Sequence, residues 1–569
     1  MTVALGTAGS EPRRALLAVA SVAVALAAAD SYVVVLALTD MMAGVGIGIE
    51  ALQEATPIIS GFLLGYVAVL PLVGRLSDLL DRQRVLLACL AVFVVGSAVT
   101  ALAVDLSVLV GGRVLQGVGG GGLVPATLAL VADLWPVGAR GAPLGVVGAV
   151  QELGSVLGPL LGAAILAWSG WRAIFWANVV AGVILYAAVL AFGGRRTSGV
   201  RRASGVRRAS GSAAATSAGL GLLLGGLALA APERLVTDVT LGVPFVPFVG
   251  QSRVLTPAGL VSLGLLVVGA GLTARRWWPV LRRADLLGAV LVAVALGALV
   301  LSFASADPER EVVGSLGLVL LPVGALALAV LAWWHRRAPS PLVPRGVVHG
   351  LGLRAQAVSL LVGAALVAVI VDVPLLARLT LSRDETGAAL VLVRFLLAVP
   401  VGALLGGLAT RRFGDGPVAA VGLALAGAGL VAMSRWGPHS LDDAVGATVV
   451  LVVVGLGMGL AIAPVNDAAL ADAPPSAHGV ASALVVVARM VGMIVGLALL
   501  TSLGLRRYYE AVRRLPDPFD TEALIGAGVV QVQTVLLGGA VAALLGAVLA
   551  LTLGTTAWAA PARRPGSGS

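Results

Sequence analysis

Two acidic residues, Asp30 and Glu152, each stand alone inside a long apolar stretch of this 569-residue chain. A carboxylate at the centre of a membrane costs about 2.5–3.5 kcal/mol, so an ionisable group at that depth indicates a functional role by default. The chemistry open to an isolated carboxylate is the gain and loss of a proton, provided that it titrates near the working pH. Asp30 and Glu152 are therefore our candidates for proton coupling.

Four further charges also lie within apolar stretches, namely Arg113, Asp372, Arg394 and Arg489. An arginine stays protonated in proteins, so it cannot carry the coupled proton. It can instead hold a nearby carboxylate ionised in one conformation and release it in another. We expect Arg113 and Arg489 to act in this way, and we count Arg394 and Asp372 as further supporting charges. Asp372 lies near one end of its stretch, which is compatible with either a solvated rim or a functional position.

Glu152 lies within an unusual glycine pattern, GVVGAVQELGSVLGPLLGA at residues 145–163. The pattern consists of Gly145, Gly154, Gly158, Pro159 and Gly162. At about 100° per residue, the last three glycines share one helix face and Glu152 points to the opposite face. Glycines four residues apart let membrane helices approach closely. We expect one face to pack and the other to bind a proton; a purely packing helix with a tolerated glutamate is the alternative.

The elements that carry these residues are long apolar segments. The chain is 59% hydrophobic and 12% charged, which excludes an ordinary soluble protein. Because one membrane span needs about 20 apolar residues, the sequence predicts sixteen membrane helices in groups of six, four and six. The predicted domains are an N-terminal six-helix bundle at 1–193, a basic linker with four helices at 194–352, and a C-terminal six-helix bundle at 353–569. Within the linker, SGVRRA occurs twice in tandem at 198–209.

The net charge of +10 comes from arginines in short loops between the apolar segments. Successive loops lie on alternate sides of the membrane, starting with the N-terminus. The loops on the side of the N-terminus contain about twice as many arginines as the loops on the opposite side. The positive-inside rule then places both termini in the cytoplasm of a bacterial inner membrane protein. This distribution explains the charge without nucleic acid, which we exclude as a partner.

One loop assigned to the external side is also basic, after the fifteenth predicted helix. Apolar residues recur there at Leu505, Tyr508, Tyr509, Val512 and Leu515, a helical spacing that Pro516 would end. We name residues 505–515 the external extension; its arginines are Arg506, Arg507, Arg513 and Arg514. The pattern is short, so an ordinary basic loop remains the alternative.

Short motifs resemble the major facilitator superfamily. GRLSDLLDRQR, at residues 74–84, is similar to the loop motif that follows the second helix in that family, and GGLATRRFG at 406–414 is a weaker copy in the second half, with Thr410 in the position of the acid. Asp81 stands where the family has glycine. The resemblance implies a conformational latch formed by Gly74, Asp78, Arg82 and Arg140.

Three other motifs narrow the resemblance to the fourteen-helix drug:proton antiporters. They are GGRVLQG at 111–117, the glycine pattern around Glu152, and GWRAIFWAN at 170–178. Four strings, DSYVVV, QELGSVLGP, VDVPL and VVVARMVGM, further resemble mycobacterial facilitators of this family that export triacylglycerides with a periplasmic lipid-carrier lipoprotein. The resemblance implies an all-α major facilitator fold of two six-helix bundles plus linker helices. It does not cover residues 195–280.

Two functions remain open from the sequence. The first is proton-coupled export of a triacylglyceride-like lipid toward the periplasm, with protons and a lipid-carrier lipoprotein as partners. The second is drug:proton antiport of small amphiphilic compounds. An enzyme is not expected, because the loops carry no nucleophile–base set, phosphate-binding glycine loop or metal cluster. No cofactor is expected, and we expect a monomer.

Overall fold

The computed structural model describes residues 11–48, 55–192, 208–232, 242–248, 252–304, 314, 316–381, 385–517 and 520–554. Within these ranges the regular structure is helical, and no strand occurs. The part of the predicted basic linker at 193–207 lies outside the described residues, so the first SGVRRA copy and most of the second are not placed.

Sixteen α-helices fall in the described part of the chain. The first eight are α1 Glu11–Gly44, α2 Thr56–Leu79, α3 Arg82–Leu102, α4 Leu106–Leu134, α5 Gly141–Trp168, α6 Arg172–Phe192, α7 Arg208–Ala230 and α8 Pro257–Arg283. The second eight are α9 Leu286–Ala304, α10 Gly317–Arg337, α11 Gly350–Thr380, α12 Glu385–Phe413, α13 Asp415–Met433, α14 Ala444–Ala471, α15 His478–Val512 and α16 Thr521–Ala550.

All sixteen helices are long and apolar enough to cross a membrane, which confirms the predicted number of spans. A helix satisfies its own backbone hydrogen bonds, which is what hydrocarbon demands of a spanning segment. Large apolar side chains are exposed on helix surfaces, among them Leu161 at 56%, Ile184 at 62% and Val548 at 67%. Such side chains suit lipid tails rather than water, and the protein is a multi-pass membrane protein.

Polar residues define where several helices begin. Asp81 accepts a hydrogen bond from the Arg84 backbone N–H at 3.1 Å and so caps α3, which gives a local role to the residue that replaces the family's glycine. Thr256 and Asp443 cap α8 and α14 in the same way. At its C-terminal end, α15 continues without a break to Val512, so the external extension is helical over residues 505–512 and not as far as Pro516.

The chain divides into two compact units. The first comprises Met1–Thr127, Leu157–Ala304 and Val319–Val343. It includes an apolar core in which the second half of α1 meets the start of α6, with Met41, Trp171 and Phe175 buried together. Its linker helices pair locally: α7 packs on α8, and α9 packs on α2.

The second unit comprises Leu128–Val156, Ser305–Leu318 and Pro344–Ser569. Its core is formed mainly by α11, α12, α13, α14 and α16, with fully buried residues such as Phe395, Leu423 and Met458. The first half of α5 belongs to this unit and contributes Ala149 to the same core. Helix α5 therefore supplies Glu152 to the second unit and the Gly158 and Gly162 face to the first.

Candidate functional site

Asp30 lies at the centre of a buried polar cluster in the first unit. Its carboxylate accepts hydrogen bonds from Arg113 Nη1 at 2.6 Å, Gln116 Nε2 at 3.2 Å and Asn178 Nδ2 at 2.5 Å. These donors come from α4 and α6, while Asp30 comes from α1. Asp30 and Arg113 are each only 1% exposed. The structure thus joins the first predicted proton-coupling residue to a predicted supporting arginine in one contact.

The groups around Arg113 accept its hydrogen bonds and bury its charge. Its Nε donates to the backbone oxygen of Ile58 at 3.3 Å, and its Nη1 also donates to Gln116 Oε1 at 3.0 Å. The ring of Phe62 lies 4.5 Å from the guanidinium carbon, a distance at which a cation–π contact is favourable. A buried ion pair is stable only when additional hydrogen bonds compensate its desolvation, and Arg113 meets that condition.

Two residues of α3 contact Gln116 and extend the polar cluster. The Gln116 amide donates to Ser97 Oγ at 2.8 Å, while the hydroxyl of Thr100 lies 3.2 Å from Gln116 Oε1. All three side chains are fully buried. A fully connected network of this kind fixes the geometry of its members. Four helices, α1, α3, α4 and α6, therefore position the Asp30 carboxylate.

The glycine face of α5 packs directly beside Asp30. A Cβ atom at Gly158 would overlap the carbonyl oxygen of Ala29, the residue before Asp30, and one at Gly162 would overlap a methyl group of Val33. Gly154 is buried on the same helix, and Pro159 lies inside it. The predicted close packing on this face is therefore present, and α1 is the helix that packs against it.

Glu152 meets its predicted supporting arginine in the second unit. Its Oε1 lies 3.8 Å from Arg489 Nη1, and the two side chains are 16% and 11% exposed. The contact is longer than a charge-assisted hydrogen bond, which spans about 2.7–2.9 Å. Among the described residues, neither side chain makes a hydrogen bond. This pair is looser than the pair of Asp30 and Arg113.

Arg489 also lines a small, partly open cavity within the second unit, between α11, α14 and α15, with an enclosed space of about 10 Å³. The other polar lining residues are Ser359 and Asn466. The remaining lining residues are apolar: Val362, Ala461, Ile462, Val465, Val485 and Val486. Apolar walls with a few convergent polar groups also line small-ligand sites, but those sites are larger.

Arg140 lies in the loop between α4 and α5, in the second unit. Its guanidinium donates to the backbone oxygens of Ala132 at 2.9 Å and Trp135 at 3.1 Å. Burial lowers the pKa of Arg140, while the negative charges of Asp467 and Asp133 oppose that shift. Arg140 is thus a buried cation whose hydrogen bonds lie at the C-terminal end of α4.

Immediately after Arg140, α5 crosses α12 at very short range. A Cβ atom at Gly141 would overlap the hydroxyl of Thr410, and one at Gly145 would lie 2.7 Å from the oxygen of Ala403. Thr410 belongs to the second copy of the loop motif. Gly145, predicted as part of the antiporter pattern, therefore serves a helix crossing within the second unit.

The other latch residues lie in the first unit. Gly74 and Asp78 are on the last two turns of α2, and Arg82 is the first residue of α3, 8% exposed. Their neighbour Arg75 donates to Ser340 Oγ at 2.9 Å, beyond the end of α10. The latch itself remains a prediction.

Asp372 and Arg394 lie apart from the two carboxylate–arginine pairs. Asp372 is 3% exposed on α11, and the described residues include no hydrogen bond or ion pair to it. This burial does not fit a solvated rim, and a functional role for Asp372 stays a prediction. Arg394 Nη1 binds Thr448 Oγ1 at 3.0 Å and the Ala444 oxygen at 3.4 Å, so its contacts are with the start of α14.

The external extension occupies the last two turns of α15 and the turn that follows. Glu510 pairs with Arg506 and Arg507, both at 3.2 Å, and the rings of Tyr508 and Tyr509 pack edge to face. The two arginines are 78% and 63% exposed at the side chain. Arg513 and Arg514 follow the helix and are exposed as well. The segment presents a basic surface.

The two asparagines of these sites were not identified individually from the sequence. Asn178 occurs only within the GWRAIFWAN motif, and Asn466 stands in an apolar run with no distinctive neighbours. An asparagine inside a predicted membrane helix is an available signal, because amide groups are also unfavourable in hydrocarbon. That signal indicates a role but does not reveal the partner.

Sixteen membrane helices that bury carboxylate–arginine pairs are typical of a secondary transporter. The family profile described as Major Facilitator Superfamily matches residues 20–334, and the chain belongs to this superfamily. It is therefore a member of a transporter family.

Curated relatives cover most of the chain. The triacylglyceride transporter of Mycobacteroides abscessus is 36% identical over 501 residues, which are 86% of this chain and 82% of that protein. The one from Mycolicibacterium smegmatis is 37% identical over 515 residues, 88% of this chain and 78% of that protein. The one from Mycobacterium tuberculosis is 35% identical over 570 residues, 95% and 94% of the two chains.

Solved structures confirm the fold. The human organic anion transporter MFSD10 (TETRAN) matches with a TM-score of 0.55 at 15% identity, covering 95% of this chain and 99% of its own. The proton:xylose symporter XylE matches with a TM-score of 0.54 at 12% identity, covering 95% of both chains. At these identities the likeness concerns the fold alone, and it agrees with the predicted major facilitator fold.

Proposed function

We propose that this protein is a proton-coupled transporter that exports a triacylglyceride-like lipid from the inner membrane toward the periplasm. The observation that carries the coupling is the buried Asp30 carboxylate, held by donors from two other helices. The lipid substrate is supported by relatives named triacylglyceride transporters, at 35–37% identity over most of the chain.

In this mechanism, Asp30 and Glu152 each bind and release a proton during the cycle. When Asp30 is ionised, Arg113, Gln116 and Asn178 hold α1 against α4 and α6. Protonation would remove the negative charge that Arg113 contacts, which weakens that junction. Because Glu152 and Arg489 are joined only by a 3.8 Å contact, they can separate with little loss of hydrogen bonding.

The proposal includes an arrangement in the cell. Both termini lie in the cytoplasm, and the external extension of α15 reaches the periplasmic side. There its apolar residues guide acyl chains and its arginines contact lipid head groups or an acidic partner. A lipid-carrier lipoprotein is the proposed acceptor. The transporter is proposed to act as a monomer.

Drug:proton antiport of small amphiphiles is the second candidate. The antiporter glycine pattern favours it, since Gly158 and Gly162 pack on α1 beside Asp30. Such an antiporter needs proton coupling but has no evident use for a basic amphipathic extension.

A paired assay separates the two functions in one bacterial strain that lacks its own triacylglyceride exporter. Cellular triacylglyceride and retention of a small cationic dye are followed with the wild-type gene, with an empty vector, and with Arg506, Arg507, Arg513 and Arg514 all changed to Gln. Lipid export predicts that the wild type lowers cellular triacylglyceride and that the variant loses this effect more than it loses dye efflux. Dye efflux without any change in triacylglyceride would establish drug antiport instead.

A further inference from the structure

The cavity at Arg489 has a specific hydrogen-bonding character. Arginine carries five N–H donors and no acceptor, and asparagine adds two donors from its amide nitrogen. Among the described residues, neither Arg489 nor Asn466 donates a hydrogen bond, although both line the cavity. Ser359 already donates its hydroxyl hydrogen to the Val485 oxygen at 2.8 Å. The polar wall therefore offers donors that lack acceptors.

The charge of the cavity restricts which ligands can bind there. Arg489 is positive, and Glu152 lies 3.8 Å from it. With Glu152 ionised the two charges sum to zero, so a second anion would be left without a balancing cation. A neutral molecule that carries strong acceptor oxygens fits this environment better than a carboxylate or a phosphate.

The size and the walls of the cavity restrict the choice of ligand further. Six of the nine lining residues are apolar, contributed by valine, isoleucine and alanine. The enclosed space is about 10 Å³, which is the size that a single water-sized group needs. One carbonyl oxygen can therefore enter, and the rest of a ligand must lie at the open side.

We propose that this pocket binds the carbonyl oxygen of one ester group of a neutral acylglycerol, with Arg489 and Asn466 as its hydrogen-bond donors. The proposal deepens the lipid-export function and rests on it. Only the carbonyl oxygen enters the pocket, and the acyl chain lies outside it. Because Arg489 also contacts Glu152, the group that binds the ester is the one next to a proposed proton site.

The test compares two ligands on the full-length protein in detergent micelles. Trioleoylglycerol carries three ester carbonyls, whereas trioleyl glyceryl ether has the same chains and no carbonyl. We expect the wild-type protein to bind the triester about tenfold more tightly than the triether, as one or two hydrogen bonds from buried donors allow. Equal binding of the two ligands by the wild-type protein would overturn the proposal, and this comparison requires no variant to fold.

Variants then locate the donor. Asn466→Leu should weaken triester binding about tenfold and leave triether binding within about twofold, since only the ester uses the amide. Gln531→Leu is the matched control, because Gln531 is a half-buried amide of the same unit outside the cavity lining, and it should bind both ligands like the wild type. An equal loss of both ligands in Asn466→Leu would contradict a carbonyl site.

Oleate supplies the remaining comparison. Tighter binding of oleate than of the triester, at a pH where oleate is ionised, would identify an anion site and overturn the proposal. The outcomes are distinct from those of the export assay. A protein that exports triacylglyceride but binds triester and triether alike retains the proposed function and loses this inference.

Discussion

Arg113 Nη1 lies 2.6 Å from Asp30 Oδ2 in the first unit, whereas Arg489 Nη1 lies 3.8 Å from Glu152 Oε1 in the second. The two pairs have the same chemistry but different surroundings. Asp30 accepts three side-chain hydrogen bonds, while Glu152 accepts none among the described residues. Protonation of Asp30 must therefore disturb a connected network, and protonation of Glu152 need only release one loose partner.

The first prediction concerns the tight pair. Asp30→Asn should insert normally but lose coupled transport, because an amide cannot exchange the proton. It should also destabilise the protein by about 3 kcal/mol, since Arg113 keeps a buried charge without its carboxylate. The measurements are thermal unfolding in detergent and transport in vesicles under a fixed pH gradient.

The double variant Asp30→Asn with Arg113→Gln provides the control. Removing the unpaired cation should restore part of the lost stability without restoring transport. Recovery of transport together with stability would show that Asp30 serves folding rather than coupling.

The second prediction concerns the loose pair. Glu152→Gln should abolish coupled transport and change the free energy of unfolding by no more than about 1 kcal/mol, because a long and partly exposed ion pair contributes little. Stability and transport are measured as for Asp30→Asn. Wild-type transport by Glu152→Gln under the same pH gradient would remove Glu152 from the proton pathway.

The contrast between the pairs shows how far the sequence alone could lead. Apolar segments of sufficient length are visible in one sequence, so all sixteen spans were predictable, whereas the short spacing after α15 left a helix and a basic loop both open. The charged residues of the site were visible too, since a charge in an apolar run is conspicuous. Their partners were harder to assign: Asn178 is 148 residues from Asp30 along the chain, and hydropathy does not specify which helices meet.

The cavity was even harder to predict from the sequence. Ser359, Asn466 and Arg489 come from three separate helices, and two of them are ordinary polar residues in apolar runs. No spacing connects them, because their proximity results from tertiary packing. The close approach of α5 to α1 was predictable in kind from the glycine pattern, but not in its partner residue Ala29.

The third prediction tests that close approach. Gly158→Ala should destabilise the protein by about 1–3 kcal/mol, because its Cβ would overlap the Ala29 oxygen and push α1 away from α5. Gly226→Ala is the matched control on α7, where an added Cβ has no atom within 4 Å. There alanine should be neutral or stabilising, by up to about 1 kcal/mol. Equal unfolding temperatures of the two variants would contradict the packing role of the glycine face.

The fourth prediction concerns the segment that the family resemblance does not cover. Helices α7 and α8 pack on each other, with Ser217 Oγ and Ser262 Oγ each 2.7 Å from a backbone oxygen of the opposite helix. Neither helix contributes to the Asp30 cluster or to the Arg489 cavity. Excision of residues 198–278, with the ends rejoined by a short flexible linker, should keep at least roughly half of the transport rate.

The control for the excision is a chain of full length in which the same residues are retained and the linker is inserted after residue 278. Both proteins are compared for membrane insertion and for transport. Complete loss of transport in a well-inserted deletion protein would show that the α7–α8 pair is part of the transport machinery.

The central claim is that lipid movement and proton movement are one process that requires Asp30 and Glu152. The most direct measurement follows the internal pH of vesicles that contain the purified protein and triacylglyceride, after a lipid acceptor is added outside in the absence of any imposed gradient. Coupling predicts a change of internal pH with the wild-type protein, in proportion to the lipid delivered, and none with Asp30→Asn or Glu152→Gln. Delivery of lipid by the wild-type protein with no accompanying proton movement would contradict it.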